Sequence, residues 1–244
     1  MTPPPERGEQ DRGTTAMPNQ RRRPRLMVFD VNETLSDMAP MAQRFTDVGA
    51  PGHLAATWFA SLLRDGFALT ATGANPPFAE LGAEALRTSL AGRVSDIPSA
   101  VDHIMSGFTS LQVHPDVAEG IQNLHTLGIS LVTLSNGSAS VAQSLLDRSG
   151  LTQYFDRLLS VEEAPLWKPA AAAYSFALKA CGCEASEAML VAVHPWDVHG
   201  AQQAGLATAW LNRTGARYPS HFSAPGIEAV SLVDLAAQLG GVAG

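Results

Sequence analysis

Cysteine is nearly missing from this chain, which has two, Cys181 and Cys183, one residue apart. Such near neighbours make a sterically poor disulfide, and two thiols leave a metal site incomplete. They read as reduced thiols near a helix end. Long apolar runs are missing as well, and none approaches the ~20 residues that a membrane span needs. No apolar h-region of a secretory signal stands at the start. Basic residues are the minority, with 16 Lys and Arg against 23 Asp and Glu, a formal net charge of -7. That balance argues against a nucleic-acid backbone as partner, because such binding needs clustered Lys and Arg. Together these absences lead us to expect a soluble, cytoplasmic protein with neither nucleic acid nor membrane as partner.

Material for a core is ample. The 244 residues are 45% hydrophobic and 16% charged, enough for one domain, or one domain with an insertion. Residues 1–24 (MTPPPERGEQDRGTTAMPNQRRRP) are rich in Pro, Arg, Gly and polar groups and read as a disordered tail. The RRRPR run at 21–25 reads as solvated charge. From Arg25 the pattern changes. LMVF, residues 26–29, has no polar alternation and predicts a strand buried on both faces. Further strands are expected at Ile129–Leu134, Arg157–Ser160, Met189–Val193 and Leu206–Leu211. Helical patterns fall between them, at Val117–Leu127, Ala139–Ser149, Ala170–Ala180 and Val198–Ala204. This alternation predicts an α/β fold, a doubly wound parallel sheet. Residues 37–113 break it with helical stretches at Pro40–Asp47, His53–Asp65 and Ala79–Leu90. They read as a helical cap inserted after the first strand, leaving 25–36 and 114–244 as the α/β core. A module so placed can cover a site and exclude water.

In open α/β sheets, ligands bind outside the carboxyl ends of the strands. The residues at those ends are therefore the candidates. Strand one ends at Asp30. Strand two runs into Ser135-Asn136-Gly137-Ser138, the third leads to Lys168-Pro169, and the fourth to His194-Pro195-Trp196-Asp197. Taken singly, each has a plain structural explanation. An Asp at a strand end is usually a turn residue or an N-cap, and Asp197 before a helical stretch would cap it well. Taken together, a carboxylate, a hydroxyl with an amide, an ammonium and a second carboxylate are more polar groups than a core tolerates by chance. Asp30 can be a nucleophile. Ser135 and Asn136 can cradle an anion at a helix start. Lys168 can keep Asp30 ionised and stabilise developing negative charge. Asp197 can pair with Lys168 or orient a water. His194 stays open between a structural role beside Pro195 and binding of substrate or water. Trp58, Phe59 and Phe67 can line a pocket or pack the cap, and packing is expected for Phe67.

The motifs Phe29-Asp30-x-x-x-Thr34-Leu35, Leu134-Ser135-Asn136-Gly137-Ser138, Lys168-Pro169 with Tyr174 beyond, and Trp196-Asp197 followed by Gly200-Ala201 resemble the haloacid dehalogenase (HAD) superfamily. Within it they are most similar to the type II L-2-haloacid dehalogenases. The resemblance spans nearly all of the chain from Arg25 and implies a Rossmann-like core with a cap. It also implies hydrolytic dehalogenation of a 2-haloalkanoic acid. Asp30 would displace halide, and water would hydrolyse the resulting aspartyl ester. Thr34, Ser135 and Asn136 would position Asp30 and the substrate carboxylate, and Lys168, Tyr174 and Asp197 would organise charge and water. Trp58, Phe59 and His194 would complete the substrate pocket. No metal or other cofactor is implied, and the expected partners are a small carboxylate and water. Cap helices in such folds often pair two copies, so a homodimer is among the expected assemblies.

Departures from the family pattern sit at the leaving-group and water sides. Asn32 and Glu33 replace an aromatic and a Gly, Phe59 stands where an Arg usually receives the halide, and Ala192 and His194 replace Ser and Asn. Two alternatives stay open. A phosphatase of the superfamily would need Mg²⁺, an acid at Asn32 and an acid at Val193. A catalytically silent binding protein would fit the absent Arg.

Overall fold

The computed structural model describes residues 23–241. The tail expected at 1–24 therefore lies outside the described residues except for Arg23 and Pro24. Six strands form one sheet: β1 (Leu26–Phe29), β2 (Ser130–Ser135), β3 (Arg157–Ser160), β4 (Ala188–Ala192), β5 (Ala207–Leu211) and β6 (Ile227–Ala229). Their order is β3-β2-β1-β4-β5-β6, and every pairing is parallel. The α/β class and the parallel sheet are those expected. The sixth strand is an addition. It is three residues long and follows the irregular stretch 212–226, too short to show a pattern of its own, and pairing with β5 holds it in place.

Four helices lie between β1 and the rest of the sheet: α1 (Met41–Asp47), α2 (Leu54–Ala71), α3 (Phe78–Leu90) and α4 (Ile97–Phe108). Five more follow: α5 (Val117–Thr126), α6 (Ala139–Arg148), α7 (Ala171–Cys181), α8 (Pro195–Gln203) and α9 (Leu232–Gly240). Side chains alternate across a strand. Leu26 and Val28 of β1 accordingly join the core that α7 and α8 complete, while Met27 and Phe29 join the one shared with α5, α6 and α9. Both faces of β1 are covered, which is why all four residues are apolar and buried.

Helix α2 runs six residues past the stretch read from the sequence. Gly66 does not end it, because that glycine is where α2 presses on Trp167, and a Cβ there would lie 2.4 Å from the indole. Helix α4 went unread, although it starts conventionally: Asp96 accepts a hydrogen bond from Ser99 N (3.1 Å), and Pro98 sits in the first turn. Phe45, Trp58, Phe59, Phe78 and Phe108 pack ring on ring among these helices. The helical layer is tied to the sheet by hydrogen bonds from Trp167 Nε1 to Pro76 O (3.0 Å) and from Asn75 Nδ2 to Ala164 O (2.8 Å). Among the described residues, no helix is long and apolar enough to cross a membrane.

Candidate active site

The winding of the sheet dictates where polar groups gather. After β3 the chain returns to the far side of β1 to lay down β4, so the connections diverge on either side of β1. This is the crevice position of doubly wound sheets. Phe29 pairs with Thr133 of β2 and with Val191 of β4, so Asp30, His194 and Asp197 follow, and Ser135 closes, strands that end at one edge.

Asp30 is 3% exposed. One carboxylate oxygen accepts from Lys168 Nζ (2.9 Å), and the other accepts from Thr34 Oγ1 (2.6 Å). The chain folds back at once after β1 to place Thr34 there. Leu35 N and Ser36 N both donate to Val31 O, and Thr34 Oγ1 in turn accepts from Val193 N (3.1 Å). Lys168 has no exposed surface and donates a second bond to Asp197 Oδ2 (2.6 Å). The other oxygen of Asp197 accepts from the Tyr174 hydroxyl (2.6 Å). Helix α8 begins three residues earlier than its pattern suggested, with His194 as N-cap. Asp197 therefore sits in the first turn rather than at the cap, with its side chain turned inward. Gly200 allows this helix to lie close, since a Cβ there would meet Pro169 and the Tyr174 hydroxyl at 2.5 and 2.7 Å.

One ammonium thus stands between two buried carboxylates. Burial pushes the Asp30 carboxyl up, but Lys168, His194 and Thr34 outweigh it and hold the acid below its ordinary range. Burial alone would pull Lys168 down, but Asp197 and Asp30 keep it above the usual lysine value. Asp197 is pushed up by burial and by the charge of Asp30. Tyr174 is pushed well up by burial and by Asp197, so it stays a hydrogen-bond donor.

Asn136 takes a place that the sequence did not suggest. Its amide grips the backbone of Lys168 in both directions: Lys168 N donates to Oδ1 (3.0 Å), and Nδ2 donates to Lys168 O (3.2 Å). Both ends of the amide are committed to positioning Lys168. Ser135 Oγ accepts from Gly137 N (2.9 Å), and its own proton goes to no described acceptor. Trp58 is set apart from the other candidates. It is buried among Phe45, Phe59 and Phe108 with its Nε1 on Gly82 O (2.9 Å), inside the helical layer and away from the cavity wall. Phe59 does line the cavity, 6.4 Å from the His194 ring. Phe67 packs edge-on against Trp196 at 4.9 Å.

The cavity has a volume of about 670 Å³ and mainly apolar walls, including Met38, Met41, Phe59, Pro195 and Trp210. Its polar lining includes Glu33, Asp37, His194, Arg213 and Arg217. His194 Nε2 lies 3.2 Å from Asn32 O and 3.6 Å from both Asp30 Oδ2 and Glu33 Oε2, and the ring stacks on Trp196. Asp30 is thus one side chain away from the cavity. Two participants escaped the sequence reading. Arg213, which also lines the cavity, donates to Thr34 O (3.0 Å) and pairs with Asp116 (2.5 Å), bracing the turn; nothing in its surroundings in the sequence marks it. Glu33 was visible only as a departure from a family glycine. Among the described residues, no three His, Cys, Asp or Glu side chains are grouped to hold a metal ion.

A doubly wound α/β fold with a lysine-clamped aspartate at its switch point defines a class of hydrolase, and comparison with known proteins narrows the class to a family. The family model for haloacid dehalogenase-like hydrolases matches residues 24–205, and the chain belongs to that family. It is 31% identical to (S)-2-haloacid dehalogenase 4A of Burkholderia cepacia over 194 residues, 78% of this chain and 84% of the relative. It is 28% identical to the (S)-2-haloacid dehalogenase of Pseudomonas sp. (strain YL), covering 84% of this chain and 90% of that one. The crystal structure of a dehalogenase with an intermediate complex superposes with a TM-score of 0.82 at 29% identity, covering 88% of this chain and 97% of the other.

Proposed function

We propose that the protein hydrolyses a 2-haloalkanoic acid through an ester on Asp30, with α1–α4 acting as the cap over the site. The clamp of Lys168 between Asp30 and Asp197 carries this reading. A carboxylate is a useful nucleophile only when ionised, and the buried ammonium keeps Asp30 so. In the first step an Asp30 oxygen bonds to the halogen-bearing carbon, and the carbon–halogen electron pair leaves as halide. In the second, water adds to the Asp30 carboxyl carbon and the 2-hydroxy acid departs. Thr34 and Lys168 aim the carboxylate, each from one oxygen. The free proton of Ser135 is available to the substrate carboxylate. Asp197 and Tyr174 hold Lys168 in place and in charge. A halide needs no proton to leave, so neither an acid at Asn32 nor a metal ion enters the scheme.

The test uses ¹⁸O-labelled water and a panel of haloacids, with halide, inorganic phosphate and protein mass followed together, with and without Mg²⁺. Halide release with ¹⁸O entering Asp30, and no mass gain in Asp30→Ala, is the expected result. Phosphate release from esters with Mg²⁺ and no halide from any haloacid would replace this reading with the phosphatase one.

A further inference from the structure

We propose that Glu33 is the general base that takes a proton from the hydrolytic water at Asp30, a role that rests on the ester mechanism above. Glu33 is the only residue other than glycine with positive φ among the described residues, at 63°. The left-handed region disfavours any residue with a Cβ, and a glycine would sit there without strain. Strain held beside a reacting group points to a use for the side chain. The turn itself does not call for a carboxylate. Glu33 N bonds to Ser36 Oγ and Glu33 O to His114 Nε2, contacts that any residue could make through its backbone.

The side chain is in the right place. Its Oε2 and Asp30 Oδ2 flank the same nitrogen, His194 Nε2, at 3.6 Å each. It also lines the cavity, and 43% of its side-chain surface is exposed, so water reaches it. The other groups around Asp30 are committed. Both oxygens of Asp197 are taken by Lys168 and Tyr174, and Asp197 has no exposed surface. Lys168 is charged. His194 Nε2 is ringed by three oxygens, those of Asn32, Asp30 and Glu33. Among the described groups that flank Asp30, Glu33 keeps free lone pairs toward the cavity. Burial, and the charge of Asp30, also push its carboxyl above the ordinary range, which strengthens it as a base.

The proton count closes. Water gives its proton to the Glu33 carboxylate as its oxygen bonds to the Asp30 carboxyl carbon. The adduct collapses, the bond to the substrate oxygen breaks, and Glu33 returns the proton to that oxygen to form the hydroxy acid. The Asp30 carboxylic acid then releases one proton to solvent and is again a carboxylate.

Glu33→Gln and Glu33→Gly separate the two steps. After rapid mixing with a haloacid that wild type turns over, quenched samples are read by intact mass. Ester formation should stay within about 3-fold of wild type, while ester decay should slow by about 100-fold or more, the usual contribution of a general base. The variant enzymes should therefore accumulate the ester. Glu33→Gly removes the strained side chain, and a melting temperature at or above wild type would show that its slow decay is not a folding defect. Ester that forms in both variants and decays at the wild-type rate overturns the role of Glu33 and leaves the ester mechanism standing. No ester in any protein, and no halide from wild type, overturns both.

Discussion

Replacing Lys168 by Met keeps much of the side chain's length and removes its charge. Two buried carboxylates then face each other with no cation between them. Breaking a buried pair by deleting one partner costs about 3–5 kcal/mol. For a chain of this size, 1 kcal/mol moves the melting point by about 2–4 °C, so the fall expected at pH 8 is roughly 6–20 °C. The pH dependence follows from the sign of each shift. In wild type the Asp30 acid lies below its ordinary range, so its share of stability is present above the unfolded value and lost as pH falls through the folded one. Lys168 lies above its ordinary range, so its share is complete below the unfolded value and lost as pH rises through the folded one. The clamp is thus intact from mildly acidic to mildly basic pH. Without the ammonium, burial pushes both acids up, and protonating one relieves the repulsion. The difference between variant and wild type should therefore be larger at pH 8 than at pH 5. Calorimetric melts at both values measure it, and halide release in the same buffers should be lost. A Lys168→Met melting point within about 3 °C of wild type at pH 8, or a deficit equal at the two pH values, would refute the clamp.

Asn136→Ala leaves the buried N–H and C=O of Lys168 unpaired and should lower stability by about 2–4 kcal/mol, with turnover falling because Lys168 is no longer held; denaturant melts and halide assays read both, and a neutral effect would show that the amide grip is dispensable. Phe59→Arg places a cation on the cap side of the cavity near His194, in addition to Arg213 and Arg217, and should raise halide release from small haloacids. Release unchanged or lower in a folded variant would mean that the leaving group departs by another face.

Much of the fold was legible because parallel strands buried on both faces read as bare apolar runs. LMVF before Asp30 needs no context to be recognised as one. Strand β6 was not legible, because three residues held by pairing with β5 carry no period. The site was legible as an inventory of strand ends. The structure brings Asp30, Thr34, Lys168, Tyr174 and Asp197 into one bonded chain. What a sequence pattern cannot state is which atom faces which. Asn136 read as a binder of substrate because amides bind anions, whereas its amide is spent on the backbone of Lys168. Trp58 read with Phe59 as a pocket residue from its aromatic side chain and the family resemblance, but adjacent residues on a helix point about 100° apart. One faces the cavity, and the other is enclosed by the helical layer. Glu33 carried a faint mark, a side chain where a glycine is usual, and its cause was the left-handed backbone at that turn.

The buried clamp also sets an order of events during synthesis. Asp30 is translated before its counter-charge at Lys168, which comes 138 residues later. At ordinary ribosome speeds of about 5–20 residues per second, that interval is roughly 7–30 s. Until then a carboxylate at the end of β1 is better left in water than enclosed, so the nascent chain gains nothing by closing the sheet around it early. Helices α1–α4 emerge first and can assemble on their own aromatic rings, while the strands on either side of β1 wait for Lys168 and Asp197. The residue made first among those at the site is thus the last to be sealed.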